Sequence, residues 1–157
     1  MVNKRGLTIQ ASHYEPVAGE RPRKQLPCVI YLHGNCGCRL DALECLPILL
    51  PYNITLVALD FTGSGASEGT HAARHDAHDM TRRTRCTWRV EADGAVGLAL
   101  SGEYVSLGYY EKEDLVAVVE HLRSTGTVSR IGLWGRSMGA ATSIMYGATD
   151  PSIACMV

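Results

Sequence analysis

At 157 residues, with 46% hydrophobic and 20% charged side chains, the chain is long and apolar enough for one globular domain with a buried core, which excludes a disordered or fibrous class. The 15 basic and 16 acidic residues leave a formal net charge of -1, so no overall field draws nucleic acid or an anionic membrane. MVNKRGLTIQ lacks the apolar stretch of a secretory signal, and no apolar run approaches the roughly 20 residues that span a bilayer; the default expectation is a cytoplasmic protein with no transmembrane segment.

In chain order, residues 7–12 (LTIQAS) alternate apolar and polar, which predicts a half-exposed strand. Residues 28–32 and 54–59 are continuously apolar and end at His33-Gly34 and at Asp60. Such strands are buried on both faces, as in a parallel sheet. Between them Leu40, Leu43, Leu46 and Leu50 recur at about helical spacing, predicting a crossover helix whose apolar stripe covers the sheet, short or kinked at Pro47. Leu115, Val118, Val119 and Leu122 predict a second helix, with Glu111, Glu113 and Asp114 at its start, Arg123 near its end and Gly126 just past it. A third buried strand is expected over 128–134 and a further helix over 140–146. The alternation of strand and helix predicts an α/β fold with a mostly parallel sheet and crossover helices.

Residues 70–101 break this rhythm. They carry His71, His75 and His78, an arginine-rich run (Arg82, Arg83, Arg85, Arg89) and a small-residue tail, without a sustained period. They read as a disordered insertion or a retained non-coding segment translated in frame, rather than as a metal cluster built from the three histidines with Asp76 and Asp79; no metal site is expected. The six cysteines form no C-x-x-C pair, and most are expected to serve as small buried hydrophobes.

The sharpest chemical signal is Gly135-Arg136-Ser137-Met138-Gly139, a G-x-S-x-G pentapeptide between an apolar strand and a helix-compatible stretch. A nucleophile elbow needs both glycines because the strand-to-helix turn is so tight that flanking side chains would meet neighbouring backbone, and it projects the serine oxygen outward. Ser137 is the candidate nucleophile. The N–H of Met138, at the start of the helix, and the N–H of Asn35, in the loop after the HG strand, are the candidate oxyanion donors. His33 reads as a loop-holding histidine. Asp60 reads as a carboxylate anchoring the glycine-rich loop at 62–69, which lacks a complete phosphate-binding fingerprint.

The succession YLHGN, ALDFTGSGASEG and IGLWGRSMGAA resembles the serine aminopeptidase-like (S33) group of α/β-hydrolases, including its BEM46-like members, over about residues 27–69 and 102–157. The resemblance implies a mostly parallel sheet, Ser137 as nucleophile, Asn35 and Met138 at the oxyanion positions, and no metal or organic cofactor. It also implies a triad Asp and His beyond the nucleophile helix, and neither is present after Ser137 in a position to serve; the acid and base of the triad are absent from this chain. Residues 1–157 are thus expected to be a partial α/β-hydrolase domain, truncated after the nucleophile helix and interrupted at 70–101, with strand 128–134 left as an open edge.

Three functions compete. The first is a serine hydrolase acting on an ester, thioester or amide of a small-molecule, lipid-acyl or peptide substrate through an acyl-enzyme on Ser137. The second is a catalytically incomplete fragment or pseudoenzyme of the same fold. The third is a nucleotide-binding α/β module using the glycine-rich loop.

Overall fold

The computed structural model describes residues 1–17, 21–69 and 108–157, together with the backbone of two short strands. The strands are β1 (Ala11–Tyr14), β2 (Leu26–Leu32), β3 (Thr55–Leu59), β4 (Arg89–Val90), β5 (Val96–Gly97), β6 (Val128–Gly135) and β7 (Cys155–Met156). The helices are α1 (Leu46–Leu49), α2 (Glu111–Thr125) and α3 (Met138–Gly147). The main sheet has the order β1-β3-β2-β6-β7, with β3, β2, β6 and β7 parallel and β1 antiparallel on β3. The expected insertion and its three histidines lie outside the described residues, apart from the antiparallel pairing of β4 with β5, which is separate from the main sheet.

The apolar runs lie where a doubly covered sheet puts them. One face of β2 and β3, with Cys28, Ile30, Leu32, Val57 and Leu59, joins Leu115, Val118, Val119 and Leu122 of α2 in one core. The other face, with Tyr31, Leu56 and Ala58, packs on Ala42, Cys45 and Leu49. Because side chains alternate across a strand, each buried run feeds both cores at once. Helix α2 starts and stops as its sequence predicts, ending at Gly126 in the left-handed conformation.

Three expectations need correction. The crossover is not a helix with a leucine stripe: a 3-10 helix over Arg39–Cys45 runs into the single turn of α1 and then a second 3-10 helix over Leu50–Tyr52. Pro47 and Pro51 each fall in the first turn of one of these segments, where a missing N–H costs nothing. The tighter winding shifts the buried positions to Ala42, Cys45 and Leu49 and turns Leu40 and Leu43 outward.

The strand expected over 7–12 begins its ladder only at Ala11. Before it, the N–H of Ile9 bonds the Met1 carbonyl, while those of Thr8 and Gln10 reach the Glu68 carboxylate and Ser67 Oγ.

Third, β6 is not an open edge: β7 pairs in parallel with it at Gly132 and Leu133, and the Val157 N–H bonds the Leu133 carbonyl at 2.9 Å. Among the described residues β7 is the outermost strand on that side, and Met156 and Val157 are exposed.

Two polar clusters tie these layers together. Asp114, fully buried at the start of α2, accepts hydrogen bonds from Asn3 Nδ2 (2.7 Å), the Thr62 N–H (2.7 Å) and Thr62 Oγ1 (2.9 Å). Asp150, after α3, accepts from Ser152 Oγ, Tyr146 Oη and Arg123 Nη2, joining the end of α2 to the approach of β7. Those bonds, Ser152 and Tyr146 foremost, hold the Asp150 carboxyl well below its ordinary pKa. Burial, and then Asp150, push the Tyr146 phenol up to about 12.

Replacing Asp114 with Ala strands a buried N–H and a carboxamide, so we expect a loss of about 2–4 kcal/mol in urea unfolding. Asp150→Asn should cost about 1 kcal/mol at neutral pH. Since the folded carboxyl titrates below the unfolded one, its contribution is present above the unfolded pKa of about 3.9 and lost as pH falls. The gap between wild type and Asp150→Asn, measured by denaturation across pH, should close on acidification.

Candidate active site

Strand β6 ends at Gly135, and α3 begins at Met138 after a two-residue turn. Ser137 has φ 52° and ψ -112°, a positive-φ conformation outside the left-handed helical region that costs a non-glycine residue on the order of 1–3 kcal/mol. The turn lifts Ser137 to the surface while burying Met138, the next residue, under α3's first turn. Both flanking glycines are sterically required. A Cβ at Gly135 would lie 2.5 Å from the backbone of Gly139 and Ala140, and one at Gly139 would collide with the Leu32 carbonyl. The reason read from the sequence for the two glycines is the one the backbone enforces.

The loop after β2 lies against this turn. A Cβ built at Gly34 would stand 3.6 Å from Ser137 Cβ and 3.5 Å from the Arg136 carbonyl oxygen. Gly34, Asn35, Cys36, Gly37, Asp41 and Arg136 line an open cleft there. Asn35 is half-buried, and its carboxamide oxygen is buried without a hydrogen-bond partner among the described residues. The structure thus brings the HG loop and the elbow to one cleft. Cys36 takes part in a disulfide, whereas Cys28, Cys38, Cys45 and Cys155 are free thiols; of these Cys28 and Cys45 are the small buried hydrophobes expected, and Cys155 is exposed.

His33 is fully buried, and both ring nitrogens are engaged. Its Nε2 accepts the Phe61 N–H at 3.1 Å, so the ring proton sits on Nδ1, which donates to the Gly34 carbonyl at 2.6 Å. The ring is a strut between the two loops, edge-on to Phe61 at 4.9 Å between centroids. Asp60 is likewise a strut: its carboxylate accepts the N–H of Arg39 (2.7 Å) and of Ala66 (2.9 Å) and pairs with the Arg39 guanidinium. It binds the glycine-rich loop to the first turn of the crossover, as its place in the sequence suggested.

The remaining histidines stand apart from Ser137. His13 lies on β1, three strand spacings of about 4.8 Å from β6, and burial lowers its pKa. His121 is on the exposed side of α2. Among the described residues Ser137 Oγ has no hydrogen-bond partner, and no cluster of three metal-ligating side chains occurs. No described helix is long and apolar enough to cross a membrane.

Sequence reasoning missed Asp114. Its position at a helix start explained its charge as a response to the macrodipole, and no local pattern marks a bond to Thr62, 52 residues earlier.

No protein-family model and no curated protein matches the chain. Solved structures do. The Pyrococcus furiosus esterase Pf2001 is similar at 21% identity with a TM-score of 0.66, over 99% of this chain and 47% of that one. A Vigna radiata epoxide hydrolase mutant is similar at 16% identity and 0.61, over 99% and 36%. An alpha/beta hydrolase from Sphaerobacter thermophilus is similar at 17% identity and 0.60, over 99% and 42%. The chain spans less than half the length of these structures. At such identities the likeness speaks for the fold alone, the α/β-hydrolase fold with its mostly parallel sheet and crossover helices.

Proposed function

We propose that this chain carries the nucleophile and the oxyanion hole of a serine hydrolase, cleaving an ester, thioester or amide of a small-molecule, lipid-acyl or peptide substrate through an acyl-enzyme on Ser137. The observation that carries the reading is the backbone of Ser137, held at positive φ and exposed between two glycines at which an added Cβ would collide with neighbouring backbone. Strain of this kind persists only where the surroundings over-determine it, and it clusters at reacting groups.

In this reading Ser137 Oγ attacks the acyl carbonyl and its proton passes to a base. The carbonyl oxygen becomes the oxyanion, taken by the N–H groups of Met138 and Asn35. The leaving alcohol, thiol or amine is protonated, and water then releases the acid. The base and its orienting acid come from outside the described residues, since His33 is spent as a strut and His13 and His121 lie elsewhere. The esterase among the similar structures agrees with acyl transfer, while the epoxide hydrolase shows that the fold alone does not choose the reaction. Within the fold, the motif succession that resembles the S33 and BEM46-like group supports placement there.

A second reading has one observation in its favour. In it the described part of the chain is a catalytically incomplete form of the same fold, since Ser137 Oγ has no hydrogen-bond partner among the described residues. A fluorophosphonate probe separates the two. We expect slow labelling of this chain, abolished in Ser137→Ala, and labelling faster by about 100-fold or more in a form that supplies a histidine base beyond residue 157. Labelling that survives Ser137→Ala removes the nucleophile assignment, and equal rates in both forms remove the missing base.

The elbow also makes a structural prediction. Gly139→Ala forces a Cβ into the Leu32 carbonyl and should destabilise the fold by about 1–3 kcal/mol, as overpacked cores do. Thermal unfolding measures it, with the exposed substitution Ser129→Ala as the neutral comparison.

A further inference from the structure

One charged side chain beside the elbow is not used by the chemistry above. Arg136 is exposed, lines the cleft with Gly34, Asn35, Gly37 and Asp41, and forms no ion pair among the described residues. The buried phenol of Tyr31 stands beside its guanidinium on the side of the crossover helix. Asn35 lines the same cleft, and its carboxamide oxygen is buried with no hydrogen-bond partner among the described residues. Buried acceptors are nearly always satisfied, so an unmet one in a cleft wall points to a group that arrives with a ligand.

We propose that this cleft recognises an anionic group next to the scissile bond. Arg136 takes the carboxylate or phosphate, and Asn35 Oδ1 accepts a hydrogen bond from an N–H or O–H beside it. The guanidinium presents parallel donors at the spacing of two oxyanion oxygens, which favours a bidentate anion over a neutral carbonyl. Asp41, in the same cleft, repels negative charge from its own side and so biases the anion toward Arg136 and Ser137. That the anion belongs to a substrate rests on Ser137 being the nucleophile; the binding of the anion does not.

The test is isothermal titration of the chain with N-acetylglycine, which carries both a carboxylate and an amide N–H, with its uncharged counterpart N-acetylglycinamide, and with inorganic phosphate. We expect N-acetylglycine to bind, N-acetylglycinamide to bind at least about tenfold more weakly, and Arg136→Gln to weaken the acid by at least about tenfold, in line with a lost charge-assisted pair. Arg136→Lys should restore part of the affinity, while Arg130→Gln should leave it unchanged. Arg130 is an exposed arginine on β6 away from the cleft, and it controls for general charge.

The phosphate arm decides which anion fits, the tighter of phosphate and N-acetylglycine naming the group. Equal binding of the acid and the amide, no loss in Arg136→Gln, or the same loss in Arg130→Gln would overturn the proposal. Arg136-dependent binding in a chain whose Ser137 is never labelled would keep the anion site and remove the hydrolase reading. Ser137-dependent labelling without Arg136-dependent binding would do the reverse.

Discussion

The contact on which the rest of the site depends is between Leu32, the last residue of β2, and the turn after β6. The Leu32 carbonyl accepts the Arg136 N–H at 3.0 Å, and the face of Gly139 lies directly on the same peptide. Two parallel neighbours are thereby fixed to each other at their carboxyl ends, where the strand of one leads into the HG loop and the strand of the other into α3. Once they are fixed, Gly34 has no freedom to leave Ser137, and the cleft between them follows. A side chain at position 139 would not merely strain the elbow; it would part the two loops whose proximity is the site. The general rule that open α/β sheets bind ligands beyond the carboxyl ends of their strands has here a local cause in one peptide contact.

The loops around that contact are held by buried polar side chains as well as by apolar packing such as that of Phe61. His33 bridges the HG loop to Phe61, Asp60 bridges the glycine-rich loop to Arg39, and Asp114 bridges that loop to α2 and to Asn3. Each strut uses its acceptors on backbone N–H groups that a tight loop cannot satisfy internally. Carboxylates suit this task because they accept several bonds at once, and their burial is tolerable only while those bonds stay in place. The arrangement leaves the loops rigid without covering them, which keeps the cleft open to solvent.

How much of this was legible in the sequence depended on whether a signal was local. The parallel strands were, since residues 28–32 and 54–59 are apolar on both faces and only a doubly covered sheet buries both. So was α2, whose four apolar positions, acidic start and glycine stop agree with one another. The elbow was legible as well, because steric demand for two glycines around a serine leaves a trace in five consecutive residues. The crossover was misread because a leucine repeat of three and four fits an α-helix or 3-10 winding equally, and the prolines that break the α-helix say nothing of the face that ends up buried. The role of Asp114 and the pairing of β7 were hidden for a different reason: both depend on partners far along the chain, and a two-residue strand carries no period at all.

The strain at Ser137 bears on what the fold itself encodes. Among the described residues no hydrogen bond to a base holds Ser137 at positive φ. The conformation is imposed instead by the peptides on either side. β6 must end at Gly135 to stay in register with Leu32, and α3 must start at Met138 so that Gly139 can reach the same strand, which leaves one residue pair to reverse the chain. The elbow is therefore a property of strand–helix packing that exists before any catalytic partner is in place. Under the proposed hydrolase reading, a base and its acid would meet a serine already projected outward from the turn. The packing contributes orientation, and only the reactivity of the oxygen is left for those partners to provide.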